Sequence, residues 1–192
     1  MNEKLGDQLR ALESAGLIRV AAQNPALEYA FRHALSLEGA YQSMLKQDRR
    51  RLHRDVGECL EQALAGNIDE FAPILARHFD EAGDDARAVD YLSRVAESAS
   101  RRYASREAIA LLDRALTVAL RGGATGATIA HLSTRAGRLR EMAGDYEAAL
   151  ATYDALEALA TERADTAATC QAFLARAAVF CAPTSRFDAA RG

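Results

Sequence analysis

Arginine carries most of the chemistry this sequence can offer. Arg77, Arg135, Arg138 and Arg176 recur along the chain, with His131 and Glu141 beside the middle two. A guanidinium is permanently charged and presents its N–H donors as a flat fork that matches a carboxylate two bonds at a time. Its chemistry is recognition of acidic groups rather than bond breaking. The same arginines have an internal use, pairing with the chain's own acids such as Asp80 and Glu141, where an exposed pair contributes only about 0–1 kcal/mol. The densest basic run, Arg49-Arg50-Arg51 with His53 and Arg54, reads first as a solvated helix face and only second as a contact to phosphate or nucleic acid. It lacks the interleaved aromatics of a nucleic-acid surface.

Residues arranged for catalysis are missing. No Gly-x-x-x-x-Gly-Lys-Ser/Thr loop is present, and Gly122-Gly123 and Gly126 lack both the lysine and a preceding strand, so phosphates have no cradle. His33, His53, His78 and His131 show no metal-ligand spacing with cysteine or with one another. Cys170 and Cys181 are 11 residues apart, three helical turns and too far for one metal. No serine or cysteine sits in a nucleophile motif. Asp84-Asp85 is explained by the electrostatics of a helix N-terminus. The expectation is a protein that is not an enzyme and takes no cofactor or metal. Its three cysteines, Cys59, Cys170 and Cys181, lie in helical patterns and read as small hydrophobes packed in a core. Their odd number, with no signal peptide before them, points to a reducing cytoplasm. A net charge of -3 gives no global attraction to nucleic acid or anionic membrane. No apolar run approaches the length of a membrane span.

The elements that must position these side chains are mostly helices. Leu5, Leu9, Leu12 and Ala15 fall three or four apart and make 2–16 an amphipathic helix stopped by Gly16. Leu17-Ile18-Arg19-Val20 reads as a strand, Gln23-Asn24-Pro25 as a turn, and Leu27-Glu28-Tyr29-Ala30-Phe31 as the returning strand. Helix, strand, turn, strand is the second half of a winged helix, so the chain is expected to begin inside a domain. From Ser36 the periodicity is helical. Leu37, Ala40, Tyr41 and Leu45 mark one face, and Leu52, Val56, Leu60 and Leu64 a second helix over 51–65. Further helices are predicted over 70–82, 85–102, 105–120, 128–143, 146–161 and 164–182, with Ser105 as a cap for its helix. Gly122-Gly123-Ala124-Thr125-Gly126 reads as a flexible break. A last helix is expected after Pro183, cut off at Gly192, so both ends look truncated.

Internal repetition decides the architecture. The turn Gly83-Asp84-Asp85-Ala86-Arg87-Ala88 returns as Gly144-Asp145-Tyr146-Glu147-Ala148-Ala149 and, more weakly, as Ser185-Arg186-Phe187-Asp188-Ala189-Ala190. Gly137, Ala149, Tyr153 and Leu156 occupy the same relative positions as Ala76, Ala88, Leu92 and Val95. Small residues recurring beside a polar turn are what stacked helical hairpins need at their crossings. The copies stand 61 and 41 residues apart, longer than the roughly 34 of a tetratricopeptide hairpin, and the first interval has room for an extra helix pair over 88–120. The fold class expected is all-α: a tetratricopeptide-like superhelix of helical hairpins, right-handed, preceded by a partial winged helix with a short β-hairpin. Its parts are 1–35 for the winged-helix remnant, 36–121 for the first hairpins, 122–127 for a glycine-rich linker and 128–192 for further repeats. In such hairpins the first helix of each pair lines the inner face. That register puts Arg77, Arg135, Arg138 and Arg176 on it, with His131 and Glu141 nearby.

The first 120 residues also resemble a known arrangement. Tyr29-Ala30-Phe31-Arg32-His33-Ala34-Leu35, Ala40-Tyr41, Arg51-Leu52-His53 and Ala76-Arg77-His78-Phe79 look like the bacterial signal-transduction ATPases with numerous domains. These include maltose-regulon-activator-like transcription regulators and multidomain nucleotide cyclases. The resemblance implies a position between an upstream ATPase module and a downstream superhelix. It also implies that His33, following the second wing strand, touches a nucleotide phosphate in a longer parent; this chain has Ala34 where many relatives have aspartate. The leading functional expectation is a cytoplasmic regulatory scaffold that binds a protein or peptide, acidic in character, on its inner face. The alternative is a fragment of a DNA-binding winged-helix regulator. Glu3, Asp7 and Glu13 against Lys4 and Arg10 in the first helix argue against phosphate binding there. The sequence leaves self-association open.

Overall fold

In the computed structural model residues 2–23 and 27–181 are described, and the chain divides into two compact units, Met1–Arg51 and Leu52–Gly192. The division falls inside a helix.

In the first unit, α1 (Asn2–Ser14) closes at Gly16 with φ +70°, and the chain turns into a two-stranded antiparallel sheet. Strands β1 (Ile18–Ala22) and β2 (Glu28–Phe31) pair Ile18 with Phe31 and Val20 with Tyr29, with a bulge between Val20 and Ala22. The predicted Asn24-Pro25 turn lies outside the described residues. Helix α2 (Ala34–Ser43) starts two residues earlier than its periodicity indicates and buries no residue. The expected face of Leu37, Ala40, Tyr41 and Leu45 does not form. Met44 is extended, so Leu45 lies beyond the helix, and both Leu37 and Leu45 are exposed.

Helix α3 (Lys46–Ala63) runs across the division, and a 3-10 turn (Ala65–Asn67) ends its apolar pattern. The second unit then continues as α4 (Ile68–Ala82), α5 (Asp85–Arg101), α6 (Ser105–Arg121), α7 (Gly126–Met142), α8 (Tyr146–Glu162) and α9 (Thr166–Cys181). Each packs on the next, and α7 also packs on α9. Connections this short force neighbouring helices to run antiparallel. The turns repeat closely. A left-handed residue recurs at Gly83, Tyr103, Gly123, Gly144 and Ala164, 20 or 21 residues apart. Four of these turns supply a side-chain cap. The oxygens of Asp84, Thr125, Asp145 and Asp165 each accept the backbone N–H three residues ahead, at 3.2, 3.3, 3.1 and 3.0 Å. The exception is the α5–α6 turn. Ser105, the expected cap, is the first residue of α6, and Ala104 at the cap position has no side chain to offer.

The core is built from large residues set against small ones. Leu75, Phe79, Leu112, Leu132 and Tyr153 are fully enclosed, and Ala88, Ala108, Ala115, Ala130, Ala136, Ala149 and Ala172 let the helices approach. All eight residues of the repeated small-residue signature are buried. The cysteines are not. Cys59, Cys170 and Cys181 are exposed, because each falls on the solvent side of its helix.

The predicted flexible break is a four-residue turn, 122–125, and Gly126 is already the first residue of α7. Its glycines answer a spatial demand. A Cβ at Gly122 would strike the side chain of Asp85, and one at Gly126 the carboxylate of Asp165. Arg121 pairs with Asp85 and, at 2.8 Å, with Asp80, while Arg163 donates to the carbonyl of Ala124 at 3.3 Å. The turns α4–α5, α6–α7 and α8–α9 are thus stacked along one rim.

Candidate functional site

Between the two matching Gly-Asp turns stand three helices, α5, α6 and α7, of which α5 and α6 occupy the interval that had room for a pair. An odd number reverses the register. The turn at Gly83 and the turn at Gly144 lie at opposite ends of an antiparallel array. The face that actually forms is made by α5, α7 and α9.

Two clefts open on that face. The first, of about 600 Å³, lies between α5 and α7, and the second, of about 560 Å³, between α7 and α9; His131 and Arg135 line both. The second cleft also holds Arg138, Glu141, Tyr153, Gln171 and Leu174. The structure therefore gathers His131, Arg135, Arg138 and Glu141 as expected, and separates Arg77 and Arg176 from them. Arg77 lies on α4 and lines neither cleft. Arg176 lies on α9 but turns to α8, where it pairs with Asp154 at 3.2 Å and with Glu157.

The cations of the two clefts differ in how they are balanced. On the α5 side Arg94 pairs with Asp90 at 3.0 Å and with Asp69 at 3.3 Å, and Arg101 with Glu97 at 3.4 Å. On the α7 side Arg135 and Arg138 make no ion pair or hydrogen bond among the described residues. Their neighbour Arg140 faces elsewhere and holds both carboxylate oxygens of Asp113 at 2.7–2.8 Å.

Glu141, the acid expected to neutralise these arginines, has another partner. Its carboxylate accepts the hydroxyl proton of Tyr153 at 2.6 Å. Tyr153 is fully buried beneath the cleft, against Gly137, where a Cβ would overlap the ring. Burial first, and then the bond to Glu141, push the tyrosine pKa well above its ordinary value, so the phenol stays a donor and Glu141 stays engaged. The other expected internal acid, Asp80, pairs with Arg114 and Arg121 instead, and their guanidinium groups hold its carboxyl below the usual carboxylate range despite burial.

Gln171 and Leu174 were not singled out in the sequence, although Leu174 is 72% exposed on the cleft wall. The signal that finds them is the 20-residue turn period, which places α9 next to α7. A second grouping hidden by sequence distance is His53 of α3 with His78 of α4, whose Nδ1 atoms stand 3.0 Å apart. His33 is an exposed, extended residue at the start of α2. Its carbonyl accepts the N–H groups of Ser36 and Leu37, and its side chain makes no capping bond. No described helix is long and apolar enough to cross a membrane.

Compared with known proteins, the chain matches no family model, no curated protein and no solved structure.

Proposed function

We propose that this chain is a non-catalytic regulatory scaffold whose helices 68–181 form a tetratricopeptide-like array, and that the α7–α9 cleft takes an extended acidic segment of a partner protein. The observation that carries the reading is that Arg135 and Arg138 face a cleft without acidic partners among the described residues, while every arginine of the adjoining α5 wall has one. Two uncompensated guanidinium groups three residues apart on a helix suit carboxylates carried by one peptide. Leu174 beside them offers an apolar contact for a neighbouring side chain. The helix-strand-strand order of the first unit and the residues around His33 support a place beside an ATPase module in a signal-transduction protein of the cytoplasm.

The test is a fluorescence titration of the intact chain with a labelled peptide rich in glutamate and containing one leucine, beside its glutamine counterpart. The acidic peptide should bind with a strong salt dependence and the glutamine peptide should not. An Arg135→Glu, Arg138→Glu double variant that keeps its helical spectrum should lose binding at least about tenfold, since charge-assisted bonds contribute about 1.5–3 kcal/mol each. Undiminished binding by that folded variant would rule the cleft out.

A further inference from the structure

His53 and His78 are 25 residues apart in sequence, yet their rings meet where α3 crosses α4, with centroids 5.1 Å apart and planes tilted by 46°. The contact is between the two Nδ1 atoms, at 3.0 Å. If both rings carried their proton on Nε2, two lone pairs would face each other. The pair is satisfied when one ring holds its proton on Nδ1 and donates it to the other. A divalent metal held by both nitrogens would lie to one side of the line between them, with the rings turned toward it. Two nitrogens about 2.0–2.1 Å from one ion and at right angles to each other lie about 2.9 Å apart, close to the separation seen.

We propose that His53 and His78 together form a binding site for one divalent transition-metal ion of the imidazole-preferring class, coordinated through both Nδ1 atoms. No group of three His, Cys, Asp or Glu ligands occurs among the described residues, so water fills the remaining positions. Two imidazoles in neighbouring positions with open sites favour tetragonal Cu(II) or Ni(II), and Cu(II) stands above Zn(II) in intrinsic affinity. Metal binding needs neutral imidazoles. The site is independent of the α7–α9 cleft and stands whether or not that cleft binds a peptide.

The experiment uses the untagged full chain with Cys59→Ser, Cys170→Ser and Cys181→Ser, so that exposed thiols do not take the ion. Titration with Cu(II), followed by calorimetry and electron paramagnetic resonance, should show one ion per chain with two equivalent imidazole nitrogens. His53→Gln and His78→Gln should each weaken binding about a hundredfold, as expected when two linked ligands become one. His131→Gln should leave it unchanged. The proposal is overturned if no ion binds, if a single imidazole signal appears, or if either His53→Gln or His78→Gln binds as the parent does.

Discussion

The two clefts on the α5–α7–α9 face are nearly equal in volume, about 600 and 560 Å³, and both are lined with arginine. They differ in where the opposing charge sits. The α5 wall carries its own acids at helical spacing, Asp90 four residues before Arg94 and Glu97 four before Arg101, so its charge is cancelled before any ligand arrives. The α7 wall carries Arg135 and Arg138 and one acid, Glu141, which a buried tyrosine holds. Counting arginines would rank the α5 wall, with Arg94 and Arg101, and the α7 wall, with Arg135 and Arg138, as equals. Following each cation to its partner separates them.

The largest effect should come from removing what braces the α7 side. Tyr153→Ala deletes a fully enclosed ring wedged against Gly137 and should cost about 3–5 kcal/mol, read as a fall in the chemical denaturation midpoint. Arg94→Ala on the other wall should cost no more than about 1 kcal/mol in the same experiment, because its ion pairs are half exposed. A comparable loss from both would mean that the two walls are braced alike.

Next in size is the separation of binding from stability. Arg135→Glu with Arg138→Glu should weaken acidic-peptide binding at least about tenfold with little change in stability, since these side chains have no ion-pair partner to lose among the described residues. A smaller effect is expected from Tyr153→Phe, which releases Glu141 into the cleft. It should cost about 1–2 kcal/mol in stability, and the freed carboxylate should weaken acidic-peptide binding by competing for Arg138. If this variant binds acidic peptide more tightly, Glu141 is not held away from the arginines by Tyr153.

The smallest effect concerns pH and lies away from both clefts. His53 and His78 have pKa values below 6.5 in the folded chain, so as pH falls the unfolded chain takes up protons first. Their contribution to stability is fully present above about pH 6.5 and is lost as pH falls through the folded-state values. Thermal unfolding of the metal-free chain should show lower stability at pH 5.5 than at pH 7.5, and His78→Gln should reduce that difference. An unchanged pH dependence in His78→Gln would exclude the pair as its source.

Much of the fold was legible because helix periodicity and turn chemistry are local. Gly16, the Gly83-Asp84 and Gly144-Asp145 turns and the alternating strands all sit where their residue types require. The register between distant helices was not legible. Tyr103 and Ala164 adopt the left-handed conformation without being glycine, yet the breaks before 105 and 164 and the three helices between the Gly-Asp turns were all legible in the periodicity. Arg77 was grouped with Arg135 by matching the two Gly-Asp turns, although the three helices between those turns make α4 and α7 run in opposite directions. Arg176 was misplaced for a different reason, since the choice between a cleft and the acids of α8 depends on side-chain direction within one helix. The cysteines show the limit of composition: their type favours burial, and their helix faces do not. His53 and His78 meet only in three dimensions, and no spacing rule brings them together.

The most direct test of the central claim is a nuclear magnetic resonance titration of the intact chain with the acidic peptide, observing the arginine Nε–H signals. The account predicts that Arg135 and Arg138 shift and saturate together while Arg94 and Arg101 stay still. Shifts at Arg94 and Arg101 with none at Arg135 and Arg138 would contradict it.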